Sequence, residues 1–136
     1  MFRTAILTAT MLLPVPAMAQ SPEPEALLGR DGLYVSNTEI CPMLGDGEAL
    51  VPAMSDTGAL ALGSQGIEGV EYHCAFEPAL DLTAPEGTIT THLGYCEEPG
   101  LITPQLFTFR IETLESPRAV LYDGSEQPMT FFACPG

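Results

Sequence analysis

Four cysteines, at positions 41, 74, 96 and 134, follow a leader that marks the chain for export, and together they limit what it can fold into. An even cysteine count in an exported chain reads as two disulfides. Four cysteines allow three pairings, and their order along the chain does not select one. The expected arrangement is Cys41–Cys74 with Cys96–Cys134, so that each bridge closes one half of the chain and Ala75 to Tyr95 joins the halves. Loops of 33 and 38 residues are each worth on the order of 3.5–4 kcal/mol in the chain-entropy picture. That is a large share of the ~5–15 kcal/mol that holds a typical domain together. There is no Cys-x-x-Cys, which argues against thioredoxin-like redox chemistry. The spacings of 33, 22 and 38 fit no zinc motif.

The leader reads MFRTAILTATMLLPVPAMAQ. Arg3 and the amino terminus supply positive charge, and the apolar run from Ala5 to Val15 is too short to span a bilayer. Pro14 and Pro16 end any helix, and Ala17-Met18-Ala19 places small residues where a signal peptidase reads. Cleavage is expected between Ala19 and Gln20. This divides the chain into a signal peptide (1–19), an acidic, proline-rich tail (20–29) and a single β domain (30–136). No later stretch has the ~20 apolar residues of a membrane helix. The expected location is the periplasm or the outside of the cell.

Removing residues 1–19 takes away Arg3 and no acid. Three arginines then face 18 acidic residues, a formal charge of −15, with no lysine anywhere. Such a surface repels phosphate backbones and anionic lipid heads, which excludes nucleic acid as a partner. It suits a basic protein or a cationic small ligand.

Apolar residues alternate in short runs separated by Gly, Pro and Asp. In Ile67 to Pro78, Val70, Tyr72, Cys74 and Phe76 share the core face of one strand, with Glu71, His73, Ala75 and Glu77 opposite. Gly87 to Cys96 reads as another strand. From Pro104 to Leu114, Phe107, Phe109 and Ile111 point inward, while Thr108, Arg110 and Glu112 point outward. Residues 117–122 and 127–134 form a hairpin through Asp123 to Glu126. Leu50 to Met54 reads as a short strand, confined to an edge by Pro52. No stretch shows helical spacing over 11 positions. The expected fold is all-β: a small antiparallel barrel or sandwich of about seven or eight short strands, stapled by disulfides.

His73 and His92 are the candidates for chemistry. Both are read as outward, and with a nearby acid they form a legitimate ligand set for zinc or copper. Cys74 faces away from His73, so the adjacent pair cannot share one ion. Glu97-Glu98 is a paired carboxylate of the kind that serves acid–base work when the two pKa values split. Asp46-Gly47-Glu48 and Asp123-Gly124-Ser125-Glu126 read as turns. No Ser/His/Asp set stands out, and no residue pattern calls for a cofactor.

The layout Gly32-x-Tyr34, Cys41, Glu71-x-x-Cys74-x-Phe76 and a late cysteine pair resembles a group of small exported bacterial β proteins with two disulfides. Periplasmic lysozyme inhibitors share that size, location and stapling, but their Ser-Gly-x-x-Tyr loop is missing here. The resemblance implies a non-enzymatic, inhibitor-like binding module. The competing expectations are a metal-binding protein using His73 and His92, and a small carboxylate hydrolase.

Overall fold

The computed structural model describes residues 33–135. The signal segment, the Ala19/Gln20 cleavage position and the tail at 20–29 lie outside the described residues. Eight strands close into an antiparallel barrel in which each strand pairs with its neighbours in sequence and the last with the first. They are β1 (Tyr34–Val35), β2 (Ala61–Leu62), β3 (Gly66–Gly69), β4 (Tyr72–Glu77), β5 (Ile89–Glu98), β6 (Leu101–Glu112), β7 (Arg118–Tyr122) and β8 (Met129–Ala133). Closure leaves no free edge where neighbouring strands match in length.

The period-two pattern fills the interior. Phe107, Phe109 and Ile111 of β6 meet Cys74 and Phe76 of β4, Ala119 and Leu121 of β7, and Phe131 of β8, all buried. Phe76 packs at 5.3 Å between ring centroids from both Phe107 and Phe109. Leu80 and Ala84, from the segment after β4, complete this core. Gly94 stands opposite Phe76. A Cβ there would lie 1.9 Å from the Ala75 carbonyl oxygen, so only glycine lets β4 and β5 approach this closely.

A second core lies outside the barrel. Asn37 caps a 3-10 helix (Thr38–Met43), which leads to the helix α1 (Gly47–Thr57). Asp46 caps α1 by accepting the N–H groups of Glu48 and Ala49, and Gly58 ends it at φ 65°. Leu50 and Met54, one turn apart, pack on Val35 and Ala61, the outward residues of β1 and β2. The edge strand expected at Leu50–Met54 is therefore a helix. Pro52 sits at its sixth position, where it removes one intrahelical donor. The strong cap, the Leu50/Met54 spacing and the tertiary packing outweigh that loss.

Two more expectations change. The run from Ile67 to Pro78 is a hairpin rather than one strand. Val70 and Glu71 form its two-residue turn, Glu71 at φ 58°, so Val70 leaves the core face and is exposed. The disulfides are Cys41–Cys134 and Cys74–Cys96. Cys74 and Cys96 are direct partners across β4 and β5, which brings their Cα atoms to 4.0 Å. The first bridge joins the 3-10 helix to the residue after β8, within the outer core. It closes a loop of 93 residues and the second a loop of 22, worth on the order of 4.5 and 3.5 kcal/mol.

Candidate functional site

The register of β4, β5 and β6 determines what their outer face presents. Cys96 points into the core, so the odd positions of β5 point out: Thr91, Leu93, Tyr95 and Glu97. Opposite them on β6 stand Thr108, Leu106, Pro104 and Ile102. On the other side, His73, Ala75 and Glu77 of β4 face Glu97, Tyr95 and Leu93. The middle rows are apolar and exposed, with Leu93 at 67 %, Ile102 at 65 % and Leu106 at 59 % of full accessibility. Tyr122 of β7 extends the patch beside Thr108. Isolated exposed leucines are ordinary, but a contiguous apolar patch on a sheet marks a contact surface.

Against this patch opens a cleft of about 630 Å3 on the outer face of the paired β4 and β5, with Gln65, His73, Ala75, Pro78, Leu93 and Tyr95 in its walls. Carboxylates stand at the margins. Glu77 and Glu97 flank the apolar rows, and Glu68 lies across β3 from His73. His73 Nδ1 sits 2.5 Å from Glu68 Oε1. Burial pushes the Glu68 carboxyl above its ordinary range, and the charge and hydrogen bond of His73 pull it partly back. Two arginines stand at the far end of this surface, engaged with one acid. Arg110 approaches Glu112 at 3.4 Å, and Arg118 bonds the same carboxylate. Half-exposed pairs of this kind contribute about 0–1 kcal/mol, and they hold Arg110, on the outer face of β6 opposite the exposed Ile89, at the end of the patch away from Glu97.

The histidines do not come together. His73 is outside and partly exposed, whereas His92 is inside and 2 % exposed. The expectation that both point outward fails for His92. It shares the phase of Cys96, four residues on, and that phase is the core face. There His92 Nδ1–H donates to the Pro78 carbonyl at 2.5 Å, and Thr90 Oγ1 lies 2.8 Å from Nε2. Its ring packs against Phe76 and Phe109. His92 is a satisfied core residue that fastens the loop after β4. The two-histidine ligand set is not assembled, and among the described residues no group of three His, Cys, Asp or Glu is placed to hold an ion.

The paired carboxylates diverge as well. Glu97 joins the outer face, while Glu98 lies on the other face near Tyr72, whose hydroxyl pKa is raised first by burial and then by Asp123 and Glu98. A second cleft, of about 240 Å3, does gather acids, among them Glu86 and Glu112. Glu86 accepts from the N–H groups of Thr113 and Leu114 and from the Thr113 hydroxyl. The Thr113 N–H above all holds its carboxyl below the usual range. A general acid needs the opposite shift. Asp46 and Asp123 are occupied in caps and turns.

The sequence reading missed Leu93, Tyr95, Ile102 and Leu106. A signal was present, because an inward Cys96 assigns Leu93 and Tyr95 to the outer face of a strand two residues at a time. Among the described residues, no helix is long and apolar enough to cross a membrane. Comparison with protein-family models, with curated proteins and with solved structures finds no match for this chain.

Proposed function

We propose that this protein is an exported, non-catalytic binding module. In this reading the outer face of β4, β5 and β6 receives a basic protein. The single observation that carries the reading is an apolar patch of Leu93, Tyr95, Ile102 and Leu106, left open beside a cleft and bordered by carboxylates. The two disulfides suit an oxidising compartment, in line with the signal-like leader. A formal charge of −14 for the whole chain steers a cationic partner inward and repels a second copy.

The test is binding of a panel of small basic proteins, a lysozyme-type enzyme among them, by calorimetry. At least one should bind at low salt. That binding should weaken steeply towards ~1 M salt, where the screening length falls to about 3 Å, and it should weaken in Glu77→Gln/Glu97→Gln. No binding by any member, or binding indifferent to salt and to both substitutions, contradicts the reading.

A further inference from the structure

The β5–β6 hairpin is longer than its neighbour. β6 pairs with β5 from Leu101 to Arg110, but with β7 only from Thr108 to Glu112. Its first seven residues, Leu101–Phe107, therefore have no strand on the β7 side among the described residues. The hydrogen-bond phase shows which groups are open. Ile111 N–H donates to Thr88 O and Ile111 O accepts from Gly87 N–H, so the odd residues of β6 turn toward β5. The even residues turn away, because backbone groups alternate along a strand. Ile102 and Leu106 thus offer N–H and C=O to the open side, and Pro104 offers its C=O alone. Within the strand, Pro104 occupies a position whose missing donor costs no ladder bond.

We infer that this edge takes an extended basic segment of a partner by strand addition, resting on the reading of the face as the receptor for a basic protein. Exposed edges with apolar neighbours are templates for an added strand. Side chains of such a segment on the outer side meet Ile102 and Leu106. Those on the other side turn toward Glu98, the partner of Leu101 on β5, and Asp123, which follows Tyr122 at the end of β7. An alternating apolar–cationic segment satisfies both sides.

A second copy fits less well. Antiparallel pairing of two β6 edges about Pro104 sets proline against proline, losing two donors, and joins two chains of formal charge −14. A heterologous segment loses only one donor.

The experiment uses the exported chain and a peptide of alternating lysine and valine, eight or so residues long, about 25 Å when extended. Amide exchange is followed by NMR alongside binding. Strand addition slows exchange at Ile102 and Leu106 when the peptide binds. Ile102→Pro, which removes one edge donor, weakens binding about fivefold to tenfold beyond Ile102→Ala, which removes only the side chain. Folding of both variants is checked by thermal unfolding, and the amide exchange of the unmodified chain gives an answer independent of either.

Salt-sensitive binding that leaves both amides exchanging freely, with the two variants equal, overturns strand addition and leaves the broader reading intact. Failure of the peptide to bind while a basic protein binds has the same meaning. Failure of both peptide and protein panel overturns both proposals. Amides already protected without peptide mean that the edge is covered by the chain's own residues 20–32 or by a second copy, and that also overturns it. A dilution series that changes the protection identifies the second copy.

Discussion

Two stretches of the same barrel surface are built from the same kind of residue and treated differently. Over β1 and β2, the outward Val35 and Ala61 are roofed by α1 and the 3-10 helix, and Leu50, Met54 and Ile40 complete a buried second core. Over β4 to β6, the outward Leu93, Ile102 and Leu106 are larger, yet they stand open. Fully burying one such side chain is worth roughly 1.5–3 kcal/mol, so the open face leaves several of these contributions unused. The chain holds its roof in place with the cap at Asp46, the glycine at Gly58 and the Cys41–Cys134 bridge. On the proposed reading, stability rests on the covered side and contact on the bare side.

That division is open to breakage. The largest effect is expected from Cys41→Ala/Cys134→Ala, which releases the roof and the 93-residue loop. The loss should be about 4–5 kcal/mol by chain-entropy arithmetic, read by denaturant unfolding against the intact chain. Leu50→Ala should come next, at about 2–4 kcal/mol, since it empties the covered core. Gly94→Ala tests the sheet beneath the bare face. Its methyl group meets the Ala75 carbonyl, and overpacking of this kind costs about 1–3 kcal/mol.

Smaller still is an acid effect away from both faces. Glu86 holds the turn after β6 as an ionised acceptor, with its carboxyl below the ordinary range because of the Thr113 N–H. A carboxyl depressed in the folded state stabilises above its unfolded pKa, and that contribution is lost as pH falls through its folded value. Glu86→Gln should therefore lower the neutral plateau and flatten the acid side of the stability–pH curve, the two chains converging as pH falls through the folded pKa of Glu86. Urea midpoints measured from neutral pH down to about pH 3 check it.

Much of the interior was legible. The alternation of Phe107, Phe109 and Ile111 placed the core face of β6, and Cys74 fell on the core face of β4. The barrel or sandwich expectation resolved into a barrel of eight strands. Cysteine pairing was not legible, because the loop entropies of the expected and observed pairings differ in total by less than about 1 kcal/mol. What decides it is register, which aligns Cys74 with Cys96, and register is a long-range property. The helix at Gly47–Thr57 was hidden by Pro52, a local signal overruled by packing on Val35 and Ala61. His92 illustrates the reverse, since its phase followed from Cys96 and had only to be counted. The apolar face was half legible: the outward phase of Leu93 follows from Cys96, whereas its meeting with Leu106 and with the cleft needs the pairing of three strands.

The central claim is that the open face serves contact and not folding. Leu93→Ser/Leu106→Ser tests it most directly, with thermal unfolding and binding of the basic partner measured on one sample. The account predicts a midpoint unchanged to within a few degrees, as for exposed positions, together with loss of most of the binding. A midpoint that falls as far as that of Leu50→Ala, or a partner held as tightly as before, would contradict it.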